Sequence, residues 1–465
     1  MIQLIIVAVY SLALMAVALG ARRKAGSQSG FFVAQRQAGT ALITGSFIAT
    51  AVGGSATVGM AGLGFRQGLT GVWWLLVGSI GLVLLGGFFA KRVRGAALYT
   101  LPELVEKQYG RQVGLAASTL IVIAWIGIVA GQIVAAGKIL SILGMGSSAL
   151  WMVIFTVVFV AYTVIGGQLS VIRTDFFQAV VICLGIFVTL GLFLPQIGGL
   201  DGLRVSLPQD FFSFPVSSQF DWKALLSLLI LVGATYVVGP DMYTRLFCAK
   251  DEKTAQRAPF LSASAFVPVA FAIILIGMGA RVLYPQISPD QAFPQVISGV
   301  LPPWMGGLVL AALVAALMSS ADTCVLSQGV IMTQDIIKRF IPSLSEKRII
   351  LLTRLNIVVL GLLALGLAMI LKEVISSLLL AYTIFTCGFV VPVIAGFYKE
   401  KLKLTSQGAL AALIGGGVVG LLGKIPGPDI PLKGDLGLVG FGASAVLLFV
   451  VSYLDRRSSN GSPNR

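Results

Sequence analysis

The sequence has no histidine, four cysteines and only 18 acidic residues among 465. Without histidine there is no imidazole for a metal site, a general base or an acyl-transfer relay. Cys183, Cys248, Cys324 and Cys387 have no paired spacing. Three lie in apolar runs and one in a basic stretch, so neither a disulfide framework nor a metal knuckle fits. No nucleophile-elbow motif appears either. Charge of both signs is scarce, at 11% of residues against roughly a quarter in soluble domains. These absences argue against an enzyme and against water-soluble packing.

Apolar length is what the chain has instead: 57% of residues are hydrophobic, and mean hydropathy is +0.96. A bilayer crossing takes ~20 mostly apolar residues. Runs of that kind predict thirteen helices, over 2–20, 39–64, 69–90, 113–143, 147–166, 173–195, 224–246, 259–283, 305–337, 350–371, 375–396, 407–423 and 436–454. A β-barrel is excluded, because its strands alternate apolar and polar residues. The expected class is an all-α integral membrane protein. The first run follows Met1 without preceding basic residues and reads as a retained helix rather than a signal peptide. No separate soluble domain is expected. The longest hydrophilic connection is about 197–223, and Asp455–Arg465 reads as a short disordered tail.

The net charge of +15 follows topology rather than nucleic-acid binding. Cytoplasmic loops are enriched in Lys and Arg. With the N-terminus outside, the thirteen-helix arrangement puts 24 of them at cytoplasmic ends, Arg173, Arg245 and Lys250 included, and 7 outside. Lys138 and Arg354 lie within spans near their ends and can snorkel. The reading is N-out and C-in, multi-pass, in a bacterial-type cytoplasmic (inner) membrane, with lipid as the surrounding partner.

Two predicted helices are interrupted. The second contains Gly53-Gly54 at mid-span, and the seventh contains Gly233 and then Gly239-Pro240-Asp241. Glycine weakens a helix by about 1 kcal/mol relative to alanine, and proline removes a backbone donor. Irregular backbone at membrane depth is tolerated where it lines a cavity, and in inverted-repeat transporters such breaks occur at matching positions. Helices two and seven stand five apart. The expected repeats are therefore helices 2–6 (39–195) and 7–11 (224–396), with 1–38 and 407–454 peripheral. Glycines that merely permit close helix packing are the competing explanation.

The ninth predicted helix carries a polar stripe. Ala316, Ser319 and Ser320 share one face, Thr323 and Ser327 continue it, and Asp322 lies at its edge. Hydroxyls and bare carbonyls suit a hard cation such as sodium. Interhelical hydrogen bonding would also account for the serines, but a carboxylate within a membrane helix suggests function. Asp175, near the start of the sixth helix, is a second such acid. It could equally complement the helix dipole or pair with Arg173.

At these residues the chain resembles the sodium/solute symporter family. Gly166-Gly167, Thr174-Asp175 and Gln178 match its GG…TD…Q pattern. Ala316 through Asp335 looks like its eighth core helix, and Tyr243 through Asp251 like the basic end of its sixth. The resemblance implies a LeuT-type five-plus-five inverted repeat working by alternating access. It also implies a sodium site made of the carbonyls of Ala49, Val52 and Ala316 with the hydroxyls of Ser319 and Ser320. Asp175 matches an acid near the family's cytoplasmic sodium pathway, in which we also place Asp322. Tyr236 matches an aromatic beside the family's solute site. Ala51 stands where the proline transporter has an aspartate, and Ser55-Ala56 where the galactose transporter has Glu-Gln, so neither solute is implied.

The expected function is sodium-coupled import of a small organic solute, with Na+ as the coupling ion, no other cofactor, and no nucleic acid. Sodium at the meeting of helices two and nine would pre-form the solute cavity, a coupling typically of about 1–3 kcal/mol. Candidate cavity residues are Ser55, Thr57, Gln132 and Tyr236, with no acid among them. Proton coupling through Asp322 or Asp175, or a sensor or channel role, are the alternatives.

Overall fold

The computed structural model describes residues 2–21, 26–144, 146–371, 374–422 and 436–460. Arg22, Arg23, Lys24, Lys372, Lys424, Lys433 and Arg465, used in the charge count, lie outside the described residues.

Among the described residues the chain is nearly all helix, with no strand beyond isolated bridges. Ten helices are long and apolar enough to cross a membrane, and Thr40–Ala51 and Ser406–Leu422 are shorter apolar helices. The expected spans fall on these twelve. Spans 147–166 and 173–195 lie on one 46-residue run, Ser148–Phe193. At 1.5 Å per residue that run would extend ~70 Å, over twice a ~30 Å hydrocarbon core. The chain turns within it at Gly167, whose φ of 56° and ψ of −162° no side-chain-bearing residue adopts readily. Packing adds a second demand there, since a Cβ on Gly167 would stand 2.7 Å from the Phe31 ring.

The eighth expected helix starts seven residues earlier than apolarity alone indicated. Asp251 caps it, its Oδ1 accepting from the Thr254 N–H at 2.7 Å, so the charged turn Glu252–Arg257 is helical too. Connections also hold short helices that hydropathy did not mark, Gln28–Val33, Leu101–Tyr109, Gly199–Ser206 and Ala292–Val300.

Burial is inverted relative to a soluble protein. Large apolar side chains such as Phe88, Val157, Phe177 and Leu184 stand exposed on the rim, where lipid suits them. The polar residues Ser319, Ser320, Asp322, Thr323 and Gln328 are buried in the Pro303–Ile331 helix at the centre. The peripheral helix Ile2–Ala21 is tied to this centre by Gln178, whose Nε2 donates to the Tyr10 hydroxyl at 2.8 Å.

Both expected breaks are present. Thr40–Ala51 ends with the Val52 N–H on the Ile48 carbonyl, and the chain resumes as a π turn, Ser55–Gly59, before Met60–Gln67. In the later segment Ala234–Val238 stops at Gly239, with ψ 139°, and Pro240–Cys248 begins beyond it.

A buried charge centre and the candidate solute cavity

The first break frees backbone groups at the middle of the molecule. An α-helix leaves its last carbonyls without helical partners, and here the final helical bond goes to Ile48, ahead of Ala49, Thr50 and Val52. Ser320 Oγ donates to the Thr50 carbonyl at 2.6 Å and lies 3.1 Å from the Ala316 carbonyl. On the other side the Gly54 N–H donates to Gln132 Oε1 at 2.7 Å. The small residues are required for this approach: a Cβ on Gly53 would overlap Ser320 Oγ, and one on Gly54 would stand 2.6 Å from Ala135 Cβ. Ala49, Val52, Ala316, Ser319 and Ser320 are all buried, and the hydrogen bonds join the serine pair to the freed end of the broken helix.

Asp175 sits beside this junction rather than at a surface. Its Oδ1 accepts from Ser319 Oγ at 2.5 Å, and its Oδ2 accepts from Ser46 Oγ. Its cationic partner is Arg245 and not Arg173. Arg245 Nη2 stands 3.4 Å from Asp175 Oδ2, both side chains are fully buried, and Arg173 is exposed. The same Nη2 donates to the Thr50 hydroxyl and, at 3.0 Å, to Thr323 Oγ1. Nη1 donates to the Asp241 carbonyl at 2.8 Å. Arg245 therefore does not belong among the cytoplasmic charges where hydropathy placed it. The run after Asp241 is helical and folds inward, carrying the arginine to a carboxylate on another helix. Asp322 is buried as well, with Oδ1 3.4 Å from Thr323 Oγ1, and its Oδ2 has no hydrogen-bond partner among the described residues.

Next to this centre lies a cavity enclosing about 30 Å³, bordered by both breaks. That is room for a water or two, far below the roughly 300–1,000 Å³ of a pocket shaped around an organic ligand. Ser55, Gln132 and Tyr236 line it, as does Ser320. Thr57 does not. It is fully buried two residues further on, with its Oγ1 on the Gly53 carbonyl at 2.9 Å, so local helix geometry rather than the cavity satisfies it. Contrary to expectation an acid does border the cavity: Asp241, in the first turn after Pro240. Trp125, Tyr382, Thr235, Met242 and Cys324 are further lining residues that sequence reasoning missed. Asp241 had a visible signal, the carboxylate directly after a Gly-Pro break. Trp125 and Tyr382 had none that separates them from packing aromatics.

At the opposite end of the Arg111–Leu140 helix from its start, Lys138 forms an ion pair with Asp290, in the connection that precedes Ala292–Val300. That connection lies over the first broken helix: a Cβ on Gly62 would come 3.2 Å from the Pro289 carbonyl.

A model of the sodium:solute symporter family matches residues 31–416. Sodium/glucose cotransporter 4 of Danio rerio is 27% identical over 468 residues, spanning 90% of this chain and 71% of its own. The sodium/glucose cotransporter of Vibrio parahaemolyticus is 26% identical over 470 residues, spanning 89% and 83%. Among solved structures, a Na+-coupled sialic acid symporter in a substrate-bound outward-open state superposes with a TM-score of 0.84 at 18% identity, over 98% of each chain. A nucleobase-cation-symport-1 family transporter in a closed conformation gives 0.54 at 16%, over 92% of this chain and 94% of its own. These likenesses establish the LeuT-type fold, and the relatives are transporters rather than enzymes. A multi-pass membrane protein with two broken helices, a buried serine pair and a family match over most of its length is accounted for in one way: this chain belongs to the sodium:solute symporter family.

Proposed function

We propose that this sodium-coupled symporter imports a small organic solute by alternating access across a bacterial-type cytoplasmic membrane, N-terminus outside and C-terminus inside. Thirteen passages, with repeats over 39–195 and 224–396 flanked by 1–38 and 407–454, give that orientation its charge asymmetry. Sodium binds where the first broken helix meets the polar stripe, held by the carbonyls of Ala49, Val52 and Ala316 and the hydroxyls of Ser319 and Ser320. The observation that carries this reading is the bond from Ser320 Oγ to the Thr50 carbonyl, 2.6 Å, at a helix end whose carbonyls have lost helical partners. An ion that replaces this hydrogen bond with oxygen coordination ties the broken helix to Pro303–Ile331. It thereby sets the width of the adjoining cavity, where Ser55, Gln132 and Tyr236 meet the solute.

Asp175 and Asp322 line the route by which the ion leaves toward the cytoplasm. Ser319 Oγ offers a lone pair to the ion while its proton stays on Asp175 Oδ1, so the ion's departure is felt at that carboxylate. A second reading, proton coupling, draws on the partnerless Oδ2 of Asp322. Proteoliposomes separate the two. An inward sodium gradient should drive solute accumulation with no proton gradient imposed. Accumulation that follows only a proton gradient, and is indifferent to replacing sodium by potassium, contradicts the sodium reading.

A further inference from the structure

We infer that the solute carries a positive charge, an amine or quaternary ammonium group, and that Asp241 is the residue that selects it. The inference rests on reading the cavity between the breaks as the solute site.

Asp241 borders that cavity, and no lysine or arginine does. Arg245, four residues on in the same helix, directs its two Nη atoms elsewhere, and its Nε has no hydrogen-bond partner among the described residues. Arg245 Nη1 is on the Asp241 carbonyl, Nη2 is on Asp175, Thr50 and Thr323, and no ion pair joins Arg245 to the Asp241 carboxylate among the described residues. Asp241 stands in the first turn of Pro240–Cys248, where the helix dipole favours a negative charge. That explains how a carboxylate is held at membrane depth, and the cavity beside Asp241 is where a cation would meet it.

The walls suit the same ligand. Trp125, Tyr236 and Tyr382 bring three aromatic rings to a small enclosure, and a cation over such a ring gains about 0.5–2 kcal/mol when desolvated. An anionic solute would set its own charge against Asp241.

The test is thermal unfolding of the full-length purified protein in sodium and in potassium, with choline, ethanolamine and putrescine as cationic probes and glucose and lactate as neutral and anionic ones. At least one cationic probe should raise the melting temperature by a few degrees in sodium and not in potassium, while glucose and lactate do nothing. Asp241→Asn should weaken the apparent affinity for that probe about thirtyfold or more and keep the shift given by sodium alone, which also reports that the variant is folded. Asp241→Glu should recover part of the affinity. A sodium shift accompanied by a response to glucose or lactate only, or to none of the cationic probes, overturns the inference and leaves the symporter reading standing. So does Asp241→Asn with unchanged probe affinity. Loss of the sodium shift in the wild-type protein would instead strike the reading on which the inference rests.

Discussion

Ser319 Oγ donates a 2.5 Å hydrogen bond to Asp175 Oδ1, joining residues 144 positions apart at the place where Arg245 also reaches that carboxylate. One acid thus answers both a hydroxyl proposed to hold sodium and a buried arginine that spans to the broken helix through Thr50. Whatever occupies Ser319 is felt at Asp175, and through Arg245 on both sides of the junction.

Removing the arginine alone should be costly. A buried ion pair adds little net stability, but deleting one partner strands the other charge at about 3–5 kcal/mol. Arg245→Met is expected to lower the melting temperature sharply in detergent, and Asp175→Asn in the same chain to restore most of it. A thermal double-mutant cycle measures this. Additive losses would mean that the two residues do not act as a pair.

The glycines at the first break are expected to matter through volume. A methyl group on Gly53 overlaps Ser320 Oγ and comes 3.0 Å from Gln132 Oε1, and overpacking of that kind costs about 1–3 kcal/mol. Gly53→Ala should weaken sodium affinity by about tenfold or more, as read by sodium titration of the melting temperature. Gly366→Ala is the control, since nothing lies within 4 Å of that position. Equal behaviour of the two variants would mean that the close approach at Gly53 is incidental.

The Lys138–Asp290 pair is expected to act as a latch over the cavity. It is partly exposed, with side chains 25% and 14% accessible, so its worth is about 0.2–1 kcal/mol. Cys324 borders the cavity and reports access to it. In a chain whose other cysteines are replaced by serine, Lys138→Met should speed modification of Cys324 by an impermeant thiol reagent about 1.5- to 5-fold. The charge-exchanged pair, Lys138→Asp with Asp290→Lys, should instead hold the rate near its original value. An unchanged rate in Lys138→Met would remove the latch.

The breaks were legible because Gly53-Gly54 and Gly239-Pro240 interrupt otherwise apolar runs, and few other residues end a helix at membrane depth. The stripe from Ala316 to Ser327 was legible because a helix brings residues three and four apart onto one face. Arg245 was misplaced for a physical reason: a cation near the end of an apolar run resembles a headgroup anchor, and its counter-ion lies 70 residues away on another helix. The Gly167 turn was read as a gap between two helices because glycine pairs look alike whether they end a helix or redirect it. Leu101–Tyr109 carried a signal that hydropathy overlooks. Thr100 Oγ1 accepts from the Glu103 N–H at 3.2 Å while Glu103 Oε2 accepts from the Tyr99 N–H, close to a capping box. Thr57 and Ser55 are two residues apart and chemically alike, and only the turn between them decides which borders the cavity.

The most direct measurement is thermal stability of the purified protein in sodium against potassium at matched ionic strength, for the wild type and for Ser319→Ala with Ser320→Ala. A ligand that binds only the native state stabilises it by RT ln(1 + [L]/Kd). The account predicts a rise specific to sodium that is lost in the double variant, with the variant still folded in potassium. A sodium shift of full size in the double variant would contradict the proposed site, and no shift in the wild type, with a strong pH dependence abolished by Asp322→Asn, would move the coupling to protons.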